Sequence, residues 1–211
     1  GSIHAFYKRS DAWILGAVVS QVGPLREGAR LAEPHDDDDD DDAPEPPSAA
    51  TTLAERTVAR ARRRQKGDGA ALPAVKIAPA READLKKALA KATRSGRALT
   101  GFESFGRDVE RGAFVVTARG GFELFASWAS QACFGNSFLE LLTGPRDEAE
   151  RAATTAAVRA VCDRLAERGV VSTFGLSPAD DVPLATVYLA SGFRRSGVLA
   201  QHVTLKGERK D

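Results

Sequence analysis

The sequence contains no methionine and, among its 211 residues, only two cysteines and three histidines. Cys133 and Cys162 lack the spacing of metal ligands, and the histidines are scattered, so no zinc site is expected. The cysteines are interpreted as small apolar residues in a reducing compartment, which favours a cytoplasmic protein. No apolar run approaches the roughly 18 residues of a membrane helix, and no signal peptide is recognisable, so no membrane association is expected. The Gly-Ser start without a methionine suggests a tag scar or a fragment of a longer protein.

A net charge of only +1 conceals strong segregation along the chain. Residues 1–48 carry 4 basic and 11 acidic residues, and Asp36–Asp42 is an unbroken run of carboxylates. Such a run repels itself and buries nothing, so it predicts a disordered segment, either a solvated linker or a partner-binding acidic tail. Residues 1–73 are therefore predicted to be an extension, largely disordered, ahead of a domain over residues 74–211.

A basic helix is predicted within this extension, over Thr52–Lys66, with Arg60, Arg62, Arg63 and Arg64 near its end. Cations there complement the helix dipole. An exposed solvated helix, contact with nucleic acid and a targeting signal all remain open. No aromatic residue interleaves with the arginines, so no base-stacking surface is expected and nucleic acid is not the expected partner.

From residue 74 onward, alternating and helical patterns predict a globular domain. The predicted strands are Val75–Ile77, Ala113–Ala118, Phe122–Trp128, Ser137–Thr143, Val170–Leu176 and Leu199–Leu205. The predicted helices are Glu82–Thr93, Phe102–Arg111, Glu148–Arg168 and one after Asp181. Arg119-Gly120-Gly121 predicts a hairpin. A strand, long helix and strand imply a right-handed parallel crossover, so the fold class is mixed α/β with a mostly antiparallel twisted sheet.

The most informative segment is Asp180–Phe193, which predicts a short helix with a cap at each end. An Asp suits the N-cap, Pro183 the first turn, and Gly192 the left-handed residue after the last turn. Tyr188 shares one face with apolar neighbours. Without other information, this tyrosine is interpreted as a residue packed on the sheet.

This segment resembles the late signature of the GNAT family of N-acetyltransferases, N-x-x-A-x-x-L-Y-x-x-x-G-F. Residues 77–85 are similar to the family's first strand and helix, and residues 197–211 to its tail. The resemblance covers residues 74–211 and implies the acyl-CoA N-acyltransferase fold, with the final strand apparently missing. It also places Tyr188 where the family often keeps its general acid.

The cofactor loop departs from the family's R-x-x-G-x-G/A pattern, because residues 145–156, which correspond to it, contain no glycine. One alignment uses Arg151, Thr154 and Ala156, and another begins at Arg146. Glycine allows backbone to approach a pyrophosphate closely, so its loss weakens the expectation of binding. Asp181 also stands where the family has Asn, which would alter contacts to the pantetheine arm.

The chemistry that the resemblance implies is attack of an amine on acetyl-CoA. Backbone amides of Leu141, Leu142 and Thr143 would hold the acetyl carbonyl and pantetheine. Tyr188 would protonate the leaving thiolate, and Glu140 is a candidate base, although an outward strand carboxylate is commonly only structural.

Three functions remain open at this point. The first is an active N-acetyltransferase, with an amine-bearing small molecule or peptide as acceptor. The second is a catalytically degenerate member of that fold, acting as a binding module. The third is an unrelated interaction protein whose basic helix contacts nucleic acid or an acidic partner. Homodimer formation is also open, and the sequence does not identify the acyl acceptor.

Overall fold

The structure is a computed structural model that describes residues 2–7, 10–13, 49–67, 71–99, 110–131, 135–198, 203–205 and 208–210. The helices are α1 (Ala49–Gly67), α2 (Glu82–Arg94), α3 (Glu148–Glu167) and α4 (Val182–Ala190). The strands are β1 (Ser2–Tyr7), β2 (Ser10–Trp13), β3 (Val75–Pro79), β4 (Glu110–Ala118), β5 (Phe122–Gln131), β6 (Asn136–Leu141), β7 (Ser172–Gly175), β8 (Val203–Leu205) and β9 (Glu208–Lys210).

Five strands form an open sheet in the order β3-β4-β5-β6-β7. Every neighbouring pair is antiparallel except β6 and β7, which are parallel and joined by α3. The hairpin between β4 and β5 turns at Gly120 and Gly121, whose φ angles of 80° and 78° suit glycine. The prediction of a mixed α/β fold with a mostly antiparallel sheet is confirmed.

The two faces of the sheet carry two separate cores. On one face, alternate residues of β4, β5 and β6 pack with α3 and α4, and Val116, Leu139 and Val158 are almost fully buried there. On the other face, Phe125 and Leu142 pack with α2. Successive strand residues point to opposite faces, so β5 is buried on both sides.

Helix α1 belongs to the folded part of the chain, because it packs along α4. Its buried residues Ala54, Thr57 and Ala61 recur at helical spacing. Two polar contacts fix it at either end: Gln65 Nε2 donates to the Leu189 carbonyl at 3.5 Å, and Arg195 pairs with Glu55 at 3.2 Å. The predicted helix is therefore present, and it is docked on one side.

Some predicted elements differ from the structure. The helix expected over Phe102–Arg111 is wrong at its end, because Glu110 and Arg111 begin β4 and pair with β5; residues 100–109 lie outside the described ranges. The strand expected over Leu199–Leu205 is described only as β8, which pairs with β9 in a separate two-stranded sheet. The run Asp36–Asp42 also lies outside the described residues. Over the helices that are described, none is long and apolar enough to cross a membrane.

Candidate functional site

The parallel pair β6 and β7 separates near its carboxyl end. Pairing stops at Leu139 and Gly175, whereas β6 continues to Leu141 on its other edge with β5. The β7-facing edge of β6 therefore has no strand neighbour beyond Leu139 within the described ranges. In open sheets, such a gap at the carboxyl ends of parallel strands is where ligands commonly bind.

Helix α4 lies beside this gap, with Asp181 at its start next to Gly144 and Tyr188 against Gly175. The Asp181 side chain caps it by accepting a hydrogen bond from the Leu184 amide at 2.9 Å, with Pro183 in the first turn. At the other end, Gly192 takes a φ of 92°, as expected for the residue after a helix. The two caps fix the position of the helix, and Tyr188 lies on its buried face.

The Tyr188 hydroxyl is buried without a hydrogen-bond partner among the described residues. Its ring packs at 5.0 Å from the ring of Phe193. Its other side lies against Gly175, where an added Cβ would be 2.5–2.9 Å from the ring and the hydroxyl. The missing side chain of Gly175 therefore allows the phenol to reach the end of β7.

The environment of Tyr188 keeps its hydroxyl protonated. Burial raises the pKa of Tyr188 well above its ordinary value, and the negative charges of Cys162, Glu140 and Asp181 in their ionised forms add to the shift. Burial also raises the pKa of the Cys162 thiol to about 11 and that of the Asp181 carboxyl above its usual range. The phenol therefore stays protonated over the whole physiological pH range.

Glu140 approaches the gap from the opposite face of the sheet. It alternates with the core residues Leu139 and Leu141, so it points away from α3 and α4. The Ser127 hydroxyl donates to the Glu140 carboxylate at 3.2 Å. Phe138 and Phe174 are also half-buried on this face, with their rings 5.5 Å apart. Tyr188 and Glu140 therefore border the same gap from two sides.

The three strand residues predicted to hold a thioester differ in availability. The Leu142 amide donates to the Phe125 carbonyl at 2.9 Å, and the Leu142 carbonyl accepts from Leu99 at 2.9 Å. Its backbone is therefore already used. Leu141 and Thr143 remain as the candidates. Gly144 follows them, and a Cβ added to this glycine would lie 3.6 Å from Asp181 Oδ2.

The N-terminus of α3 is surrounded by its own charged side chains. Asp147 caps it by accepting from the Glu150 amide at 2.8 Å. The Glu150 carboxylate accepts from both the backbone amide and the guanidinium of Arg146 and lies 3.8 Å from Arg97. The ion pair raises the pKa of the Arg146 guanidinium and lowers the pKa of the Glu150 carboxyl, so both groups stay charged. The loop is therefore paired internally.

Further along α3, the residues of the other alignment are covered by protein. Arg151 is 6% exposed and pairs with Glu148. Thr154 is 1% and Ala156 is 7% exposed, and both lie in the second and third turns of the helix. Arg146, in contrast, lies in the loop itself. The amides of Glu148 and Ala149 have no acceptor among the described residues.

No known protein family, curated protein or solved structure matches this chain.

Sequence reasoning predicted Tyr188, Glu140 and Asp181 as site residues but did not point to two residues that lie beside them, Gly175 and Arg97. Gly175 was readable as a glycine inside a strand pattern, which often marks a close approach of another group. Arg97 carried no such signal: its guanidinium donates to the Gly144 carbonyl at 3.0 Å from 47 residues away in sequence. No cluster of three or more potential metal ligands occurs in the described part of the chain.

Proposed function

We propose that this protein is an N-acetyltransferase of the GNAT type, which transfers the acetyl group of acetyl-CoA to a primary amine of a small molecule or peptide. The observation that carries the proposal is the Tyr188 hydroxyl, which is buried beside the point where β6 and β7 separate and has no partner among the described residues. Buried polar groups are nearly always hydrogen-bonded, so an unpaired donor at a gap indicates an acceptor supplied by a ligand.

The reaction assigns one role to each side of the gap. The amine nitrogen attacks the thioester carbonyl from the face of Glu140, which takes the amine proton directly or through water. The carbon–sulfur bond then breaks, and the thiolate takes the proton of the Tyr188 hydroxyl. Solvent returns a proton to the phenolate. Acetyl-CoA supplies the acetyl group, and the protein supplies position and protons.

The backbone beside the gap supports the same assignment. An extended pantetheine arm can pair with the β7-facing edge of β6, where Leu141 and Thr143 have backbone groups and no neighbouring strand is described. Preorganised amides stabilise the charge that develops on a thioester oxygen. Asp181 lies next to Gly144, between this edge and Tyr188, so it borders the path of the arm.

The loop before α3, which would contact the CoA pyrophosphate, supports the proposal less strongly. The alignment that begins at Arg146 places the R-x-x-G-x-G/A pattern over the loop and the first turn of α3. The alignment at Arg151 places it on turns of α3 that are buried. Binding a pyrophosphate near Arg146 requires Glu150 to release that guanidinium. We therefore assign the pyrophosphate contact to Arg146, Arg97 and the first amides of α3, and we expect modest affinity for CoA.

The second candidate, a binding module without catalysis, is favoured by this internal pairing of Arg146 with Glu150. Two measurements separate the candidates. Titration with CoA by calorimetry tests binding, and release of free thiol from acetyl-CoA in the presence of a mixture of primary amines tests transfer. Amine-dependent thiol release supports the enzyme. Binding of CoA without thiol release supports the module, and absence of both rejects the acyl-CoA assignment.

A further inference from the structure

The outer side of α1 carries a stripe of four arginines, Arg56, Arg60, Arg63 and Arg64. Their spacing of i, i+4, i+7 and i+8 places them on one side of the helix. All four are exposed. Within the described ranges none of them forms an ion pair. At about 1.5 Å per residue, the stripe extends over roughly 12 Å.

An adjoining side of α1 is already occupied. Ala54, Thr57 and Ala61 are buried where the helix packs along α4. Contacts from Gln65 and Glu55 to the polypeptide around α4 hold both ends of the helix. The arginine stripe is therefore displayed on a fixed support, and the apolar face that a membrane-binding helix would insert is not available.

We propose that this arginine stripe binds the phosphate backbone of nucleic acid without reading its sequence. Four guanidinium groups in a row match a ligand with regularly repeated negative charge, and guanidinium binds phosphate through paired hydrogen bonds. The absence of aromatic residues on the stripe excludes base stacking as the main contribution, and it leaves backbone contacts unaffected. This binding goes beyond the proposed acetyl transfer, because none of the four arginines belongs to the site proposed for that reaction.

The salt dependence of binding gives the first test. The full chain is titrated into a labelled random-sequence DNA duplex of about 20 base pairs, and fluorescence anisotropy is followed at several salt concentrations. Four phosphate contacts predict a slope of log K against log salt of about −3.6, which is roughly a 100-fold loss of affinity between 50 and 200 mM salt. A slope near zero, or absence of binding at 50 mM salt, overturns the proposal.

A matched pair of variants assigns the binding to the stripe. In Arg56→Gln/Arg60→Gln/Arg63→Gln one arginine of the stripe remains, and the slope should fall to about −0.9. The control, Lys87→Gln/Lys91→Gln/Arg94→Gln, removes the same charge at the same spacing from the exposed side of α2. The control should keep most of the slope. An equal loss in both variants means that net charge alone is responsible, and it overturns the proposal.

Two further measurements complete the test. The single variant Arg60→Gln, which leaves the helix little changed, should reduce the slope by about 0.9. A synthetic peptide of residues 34–48 serves as an acidic polypeptide probe, because it contains the run Asp36–Asp42. Tighter binding of this peptide than of the duplex at equal salt means that the stripe recognises carboxylates in a protein segment, and it rejects the nucleic-acid assignment.

Discussion

The two ends of the candidate site differ in how their polar groups are satisfied. At the N-terminus of α3, Asp147 and Glu150 accept hydrogen bonds from the amides and from Arg146, so the charges balance each other. Next to β7, the Tyr188 hydroxyl is buried and unpaired, with Gly175 against its ring. At the α3 end the charged side chains are paired within the protein, whereas at the tyrosine end the hydroxyl has no partner among the described residues.

This difference shows which end of the candidate site has a buried polar group without a partner in the described part of the chain. A polar group that pairs within the protein needs no ligand to explain it. A buried hydroxyl without a partner costs free energy, of the order of 1–3 kcal/mol, and a ligand that accepts its hydrogen bond would remove this cost. Under the proposed function, the tyrosine end would take part in the reaction, and the α3 end would set how strongly a phosphate-bearing ligand is held.

The largest expected effect is that of Tyr188→Phe. Phe keeps the ring packing against Phe193 and Gly175 and removes only the hydroxyl. Loss of a general acid typically slows turnover by about 10²–10⁴-fold, and thiol release from acetyl-CoA measures it. Because the hydroxyl is unpaired in the folded protein, its removal should leave stability unchanged or raise it slightly.

Stability and turnover together make this test informative. Slower turnover with an unchanged melting temperature identifies the hydroxyl as part of the reaction. Lower stability with CoA binding also lost means that the hydroxyl is a structural group, and unchanged turnover removes Tyr188 from the mechanism.

The sequence predicted the sheet and α4 well, because both depend on local signals. Alternation marked β4 and β5, and the caps Asp181 and Gly192 marked both ends of α4. The packing of α1 on α4 was not predictable, since Ala54, Thr57 and Ala61 form a weak apolar face whose partner lies more than 120 residues away. The pairing of Arg97 with Gly144 likewise depends on tertiary contacts.

Arg146→Ala and Arg151→Ala are expected to separate the two alignments of the cofactor loop. Arg146 lies exposed in the loop, so its removal should weaken CoA binding about tenfold with little effect on folding. Arg151 is buried beside Glu148, so its removal should mainly lower stability. Calorimetric titration with CoA and thermal melting measure the two effects. The reverse pattern would assign the phosphate contact to Arg151.

Gly175→Ala is expected to disturb the tyrosine end by crowding. A Cβ at this position would be 2.5–2.9 Å from the Tyr188 ring and hydroxyl, so the ring or β7 must move. Overpacking of this kind typically costs about 1–3 kcal/mol of unfolding free energy. Denaturant unfolding measures it, and Gly197→Ala, where an added Cβ meets nothing within 4 Å, is the control. Equal stability of both variants would contradict the close approach.

The smallest effect is expected for Asp181→Asn. Burial raises the pKa of Asp181 above 3.8, so the folded protein holds this proton more tightly than the unfolded chain. Stability therefore falls as the pH rises from about 3.8 through the folded-state pKa, and the cost persists at neutral pH. Asn keeps the cap to Leu184 and removes this dependence, so the unfolding free energy at neutral pH should rise by less than about 1 kcal/mol.

Chemical denaturation of both proteins between pH 4 and pH 7 measures this difference. Asp181→Ala is the control, because it removes the cap as well and should cost about 0.5–2 kcal/mol. A steeper dependence on pH in Asp181→Asn than in the unaltered protein would contradict the expected direction.

The docking of α1 on α4 has a consequence for dividing the chain into parts. The composition suggests a cut near residue 74, but that cut would remove the helix that covers one side of α4. Leu189 and Arg195 would lose their contacts with Gln65 and Glu55, and the helix that carries Tyr188 would be left with packing on one side only. A piece that keeps the packing of α1 on α4 therefore begins no later than Ala49, where α1 begins.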